Sequence, residues 1–467
     1  MKQILLVTVL LLLPHVLLSA DIEIRPGGER VITSAVQSAA DSLGRSGGGR
    51  LRFGPGTYTI GAVRLWSDTH VEIDRGAIIL GSTDPYDYVG YDPEGEHPGD
   101  MKALFYADSA VNVSITGRGI IDGRGLDLVL TIDSLHHVGS RVDPNYNYRR
   151  MRPSVRPNLL RFNHVDSLLI SDLSLRSSAG WGVSIHNSAC VTVSGIDFIN
   201  RAYWNNDGID IVDSRRVVIH GCDINSADDG IVLKSFDPSA GCDSVSVSDC
   251  TIRSSASAFK IGTESYGAFT NITVSGIRVR DTYRSAVAIE SVDGAHIHNV
   301  VIDGVDADNT GNALFIRLGH RHGVKPGSIG NVIVRNLRCT VPFGRPDEGY
   351  DLRGPGLNTI FNPIPASITG LPDARVTGIR LENITVTYPG RGTKGMGYVG
   401  KYRLASMPEA RDSYPEYTMF GELPAWGLFI RHVDGITLSN VDLRVESPDY
   451  RDAIVTDDVL DLNIIDK

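Results

Sequence analysis

The chain has 467 residues, 42% of them hydrophobic, with 50 glycines and a formal net charge of -10. That length supplies a sizeable core, and the acidic balance argues against a nucleic-acid or anionic-membrane partner. Five cysteines, Cys190, Cys222, Cys242, Cys250 and Cys339, are odd in number and fit no metal-site spacing. They are expected as buried small hydrophobes, with Cys222–Cys250 and Cys242–Cys250 pairings left open.

Residues 1–20, MKQILLVTVLLLLPHVLLSA, combine one lysine, an apolar run and a small-residue end. This pattern predicts a secretory signal peptide rather than a membrane anchor. The run is short for a span and is interrupted by Pro14 and His15. Export to a periplasmic or extracellular location follows. No later stretch is apolar enough to span a membrane.

Thr33 to Leu43 is the one segment with a clear helical pattern, with Thr33 or Ser34 as its expected cap. From GGGRLRFGPGTYTI onward, short alternating runs separated by polar or glycine corners continue nearly to the end. SLLISDLSLRSS, CVTVSGIDFIN, RVVIHGCDI, SVSVSDCTI and NITVSGIRV are examples. Repetition at roughly 20–30 residues is the mark of a solenoid, each coil burying its apolar face on the next. No helices separate the strands, which excludes βαβ folds. A β-propeller needs a longer period of about 40 residues. The prediction is an all-β, right-handed parallel β-helix spanning residues 21–467 as a single domain, with the Thr33–Leu43 helix capping its open N-terminal end. Two long polar segments, Asp133 to Ser154 and Tyr388 to Gly427, break the rhythm and are expected to line a binding face.

Aligning the phrases WGVSI, DGIDI, DGIVL, SAFKI and SAVAI stacks Trp181, Asp207, Asp229, Ser257 and Ser285 in one column. With Ile209, Ile211, Ile231, Leu233, Phe259 and Ile261 inward, two further columns point outward to solvent. They are Ser184, Asp210, Val232, Lys260, Ala288, and His186, Val212, Lys234, Gly262, Glu290, Arg317. Asp207 and Asp229 lie one coil apart, and Asp228 is beside Asp229. Repulsion among three close carboxylates raises at least one pKa. One protonated carboxyl beside ionised ones is what acid–base cleavage of a glycosidic bond needs. Asp213 and Asp223 are expected as turn caps.

At these residues the chain resembles the polygalacturonase-like enzymes, glycoside hydrolase family 28. The family's Asn-x-Asp matches Asn205 to Asp207, and its Asp-Asp followed by a strand ending in Lys-Ser matches Asp228 to Ser235. GRGIIDGRG (117–125) and SSAGWGVSIHNS resemble neighbouring coils, and the likeness covers most of residues 21–340. The resemblance implies a monomeric, cofactor-free inverting hydrolase of pectic-type poly- or oligosaccharides (galacturonan or rhamnogalacturonan class), with no metal. Asp228 would be the general acid, and Asp207 and Asp229 would hold and activate water. Asn205, Trp181, Lys260, Glu264, Glu290 and Arg317 are the candidate substrate-binding residues.

Two departures stand out. Ser257 occupies the histidine position of the family's Gly-His-Gly, and Ala288-Ile289-Glu290 replaces its Arg-Ile-Lys, the cations that hold a sugar carboxylate. Lys260, Arg317 and Arg321 are the candidate substitutes. Two other classes remain open. One is a Ca²⁺-dependent β-helical lyase with a base such as Lys260; the other is a non-catalytic glycan-binding solenoid. Trp181 fits a sugar-stacking ring or a core neighbour equally. His186 fits a hydrogen-bonded surface histidine better than a catalytic one. The basic cluster RLGHRHG (317–323) fits a solvated turn or a carboxylate-binding patch. Asn112, Asn271 and Asn383 lie in N-x-S/T sequons.

Overall fold

The computed structural model describes residues 20–88, 103–140, 156–347 and 364–465. Residues 1–19 of the predicted signal peptide (1–20) and most of the first long loop, 141–154, lie outside the described residues. Among the described residues, 28 strands join in one continuous sheet whose ladders are parallel. The sheet winds as a right-handed β-helix.

The period-2 pattern explains the winding. Ile209, Ile211, Ile231, Leu233, Phe259 and Ile261 all have 0% exposure, and each stacks on its counterpart in the next coil. A coil runs through three strands, such as Ile209–Val212, Arg215–His220 and Asp223–Ser226, and each pairs with its equivalent one coil on. One apolar column therefore runs along the interior. Shortening Ile231 to valine (Ile231→Val) removes one methylene from a packed stack, and chemical denaturation should show a loss of about 0.5–1.5 kcal/mol.

Corners are turned by asparagines in the left-handed region, including Asn271 (φ 56°), Asn299 (φ 59°) and Asn331 (φ 51°). Asparagine tolerates that conformation better than other side chains with a Cβ. Their amides also form a ladder, Asn299 donating to Asn271 at 3.2 Å and Asn331 to Asn299 at 2.7 Å. All three sequon asparagines serve in this way, donating to Asp68, Asp243 and Asn336. The Asp213 carboxylate caps a corner as expected, accepting from Ser235 Oγ and the Phe236 amide. Asp223 instead begins a strand and stacks on Asp197.

Helix α1 (Thr33–Arg45) packs Val36, Ala39, Ala40 and Leu43 onto the first coils, as the capping role requires. Its N-cap is Ile32, with no side-chain cap. Thr33 Oγ1 instead accepts the Gly61 amide at 2.7 Å, so neither expected residue caps the helix. Two further helices were not expected. Helix α2 (Gly125–His137) buries Leu128, Val129 and Ile132 and includes the start of the first long segment. Its apolar run is nearly unbroken, and a short unbroken run does not distinguish helix from strand. Helix α3 (Lys394–Arg403) lies in the second long segment. None of the helices among the described residues is long and apolar enough to cross a membrane.

Four cysteines are buried, but Cys190 is exposed, against expectation. All five are free thiols, so neither open pairing is formed.

Candidate active site

The repeated phrase DGI has a backbone cause. The Gly208 amide donates to Asp229 O at 2.9 Å, and the Gly230 amide to Ser257 O at 2.8 Å. A Cβ on Gly208 would lie 2.3 Å from Gly230 O, and one on Gly230 2.6 Å from Ala258 O. Only glycine allows the coils to approach this closely, which holds the preceding aspartates one above the other. The same ladder extends to Trp181 and Ser285, so the predicted column is present.

Three carboxyls meet there in different electrostatic settings. Asp229 is buried, which alone would raise its pKa, but Lys260, Lys234, Arg284 and the Ser257 amide outweigh burial and hold it below the usual range. Lys260 Nζ lies 3.4 Å from Asp229 Oδ2, and the Ser257 amide donates to Asp229 Oδ1 at 3.1 Å. Asp228 is partly buried, and burial of its carboxyl and the neighbouring Asp229 charge push it above the usual range. Asn205 Nδ2 donates to Asp228 Oδ2 at 3.5 Å, and Arg156 Nη2 in turn fixes Asn205 Oδ1 at 2.8 Å.

Asp207 shares an ammonium with Asp210. Lys234 Nζ donates to Asp207 Oδ2 at 2.9 Å and also to Asp210 Oδ1. Burial and Asp210 push Asp207 well above the usual range, and burial pushes Asp210 up to about 6 despite Lys234. Lys234 stays charged, because the two carboxyls outweigh its own desolvation. Two carboxyls and one cation titrate as a unit, so the upward shift belongs to the pair. Asp207 Oδ1 is buried without a hydrogen-bond partner among the described residues.

The columns carrying Lys260 and Glu290 were expected to face solvent, and the structure corrects this. Ser184, Asp210, Val232, Lys260, Ala288, His186, Val212, Lys234, Glu290 and Arg317 are all buried. The second long segment covers the C-terminal part of the strip. Its Tyr417, Phe420 and Leu423 pack with Tyr283, Ala288, Phe315 and Phe429 in a second apolar cluster. The register also slips after Leu233↔Ile261, where Ser235 pairs with Ser265, so Lys234 does not stack directly on Gly262.

The other candidates are placed as follows. Trp181 is 6% exposed and lies under the Lys234 ammonium, 3.8 Å from the ring centroid, so that face is already occupied. Arg317 donates to the carbonyls of Gly370, Glu409 and Ala410, which removes it as a substitute cation for substrate. Arg321 is clamped by Asp293 at 2.8 Å. Glu264 is partly exposed and acts electrostatically on Lys234. His186 sits 2.6 Å from Ser184 Oγ, and burial pushes it down to about 3, so its ring is neutral and buried, not at the surface.

Glu290 lies 3.6 Å from Lys260 Nζ and accepts from Thr263 Oγ1 at 3.3 Å. Burial, with Glu416 and Asp229 adding, pushes it up to about 8 against the pull of Lys260. A carboxyl whose folded pKa is raised is protonated in the fold where the unfolded chain has already lost its proton. Its contribution is therefore complete below about 4.5 and is lost as pH rises towards about 8. Stability should fall across that window by up to about 1.4 kcal/mol per pH unit, and Glu290→Gln should flatten the slope in urea titrations at a series of pH values.

Sequence reasoning did not single out Arg284, Tyr414 or Glu416. Arg284 Nε meets Glu416 Oε2 at 2.8 Å, and its charge acts on Asp228 and Asp229. Tyr414 bonds Thr263 Oγ1 at 3.2 Å, and its ring lies under Lys260. Arg284 directly precedes the column residue Ser285, which was the available signal. Tyr414 and Glu416 come from the remote loop, and nothing local reveals their destination.

Residues 92–255 match Glycosyl hydrolases family 28. Over 403 residues, 79% of this chain and 73% of the relative, the sequence is 24% identical to a probable polygalacturonase of Vitis vinifera. The family 28 exopolygalacturonase of Yersinia enterocolitica superposes with a TM-score of 0.68 at 16% identity, covering 96% of this chain and 78% of that one. The hyperthermoactive exopolygalacturonase of Thermotoga maritima superposes at 0.60 with 20% identity, covering 79% and 87%. The β-helix, the matched segment and these relatives agree: the chain is similar to the polygalacturonase-like glycoside hydrolases of family 28.

Proposed function

We propose that the chain hydrolyses glycosidic bonds in a pectic-type polysaccharide or oligosaccharide, of the galacturonan or rhamnogalacturonan class, with inversion at the anomeric carbon. The carrying observation is the opposed setting of two adjacent carboxyls. Burial and the Asp229 charge push Asp228 towards its protonated form, while Lys260, 3.4 Å away, favours the ionised form of Asp229. Asp228 protonates the departing glycosidic oxygen. Asp229 takes a proton from a water molecule that attacks the opposite face of the sugar. Asp207 positions that water through its unpartnered Oδ1, and Lys234 holds the carboxyl in place. Asn205 orients the acid. Export, and action as a monomer, belong to the same proposal.

The lyase reading needs a neutral base. Lys260 is poorly suited, because Asp229 and Glu290 outweigh its desolvation and keep it charged. Incubation of the chain with a panel of pectic and algal polysaccharides, followed by product mass and anomeric NMR, tests the proposal. The expected result is one water gained per bond cleaved and an inverted product. Unsaturated products, with activity lost to a chelator, would replace hydrolysis by elimination.

A further inference from the structure

Each cation beside the aspartates already has a protein anion. Lys234 lies between Asp207 and Asp210. Lys260 lies between Asp229 and Glu290. Arg284 meets Glu416. Beyond them, Arg321 is committed to Asp293 and Arg317 to backbone carbonyls. Among the described residues, six carboxyls (Asp207, Asp210, Asp228, Asp229, Glu290, Glu416) therefore surround three cations (Lys234, Lys260, Arg284).

Glu290 reports what a carboxylate experiences in this environment. Although Lys260 is a close neighbour, its proton is retained up to about 8. A uronate carboxylate entering the same space would meet the same burial and the same anions. It would find Lys260 shared with Glu290 where a second cation would be needed, and Ala288 covered by the apolar cluster of the second long segment. The aspartates leave two acceptors unfilled, Asp207 Oδ1 and Asp210 Oδ2, and the donor Arg284 Nε, though without an aligned hydrogen bond, is held 2.8 Å from Glu416 Oε2. A hydroxyl or water satisfies an acceptor, and a carboxylate cannot.

We propose that the sugar ring seated over Asp228 and Asp229 is neutral, a hexose or deoxyhexose, and that Glu290 and Glu416 set this specificity by occupying Lys260 and Arg284. The inference rests on the hydrolase reading of the same site and narrows its substrate. Uronates elsewhere along a pectic chain are compatible with it.

The test compares α-1,4-linked tri-galacturonide with its carboxyl-reduced counterpart, which has the same ring and linkage without the charge. Binding is measured by calorimetry on the Asp228→Asn chain and cleavage on the unaltered chain. The neutral trisaccharide should bind at least about 10-fold more tightly, since juxtaposed like charges are strongly unfavourable at a recognition site. Glu290→Lys, which supplies a cation, should move the binding ratio towards tri-galacturonide. Glu290→Gln, which keeps the shape and cannot ionise, should move it the same way by less, and mainly as pH rises towards about 8, where Glu290 itself loses its proton. Equal or tighter binding of tri-galacturonide, no binding of the neutral sugar, or a ratio that neither variant moves would overturn the inference. Preferential cleavage of tri-galacturonide also overturns it and leaves hydrolysis standing. A neutral trisaccharide that binds tightly but is never cleaved supports the specificity and counts against the hydrolase reading.

Discussion

Asp228→Asn is expected to lower kcat by about 10²–10⁴-fold, the range lost when a positioned general acid is removed. The amide keeps the side chain's shape and can still meet Asn205, so folding and sugar binding should persist. The pH profile provides the sharper check. Asp229 lies below the usual carboxylate range and Asp228 above it. Activity in the unaltered chain should rise as Asp229 ionises, fall as Asp228 deprotonates, and trace a bell. Asparagine cannot lose that proton, so the alkaline limb should disappear while the acid limb remains. Cleavage at an undiminished rate would remove Asp228 from the acid role.

Lys234→Met should be the most destabilising single change at the site. Lys234 is 4% exposed, and its ammonium is the close cation for both Asp207 and Asp210. Breaking a buried ion pair by removing one partner typically costs about 3–5 kcal/mol, because the remaining charge is left uncompensated. The loss should depend on pH with a definite sign. Without the cation, both carboxyls have folded pKa values above their unfolded values. Each is tolerated in the fold while protonated, and stability falls as pH rises through the folded pKa. The urea midpoint should therefore drop modestly near pH 4 and steeply by pH 8. An unchanged midpoint at pH 8 would show that the pair is not coupled to folding. Activity should also fall, because Asp207 would lose the contact that aims its carboxyl.

Much of the solenoid was legible because its rules are local. Alternation predicts which side chains face inward, and Ile209 through Ile261 are buried as that rule requires. Column arithmetic worked where coils keep register, as in Val183↔Ile209↔Ile231↔Phe259. It failed after Leu233, where extra residues are accommodated before Ser265 pairs with Ser235. A shift of that kind leaves no mark in a repeat pattern. Helix α2 escaped because Leu126 to Ile132 offers a hydrophobic run without a decisive period.

The chain's own order was enough to bring Asp207, Asp228 and Asp229 to one place, because glycines following two of them let adjacent coils hydrogen-bond at van der Waals contact. It was also enough to mark Ala288 and Glu290 as a departure from a uronate-binding pattern. Only the folded molecule decided how those carboxyls are charged. Tyr417, Phe420 and Leu423, which cover the strip around Ala288, come from a loop more than a hundred residues away. The balancing cations, Lys234, Lys260 and Arg284, act through space along a column and across to Glu416. Hydrogen-bonded stacking is a short-range property of consecutive coils. Proton affinity is a sum over every charge and every shielding atom nearby, whatever its position in the chain.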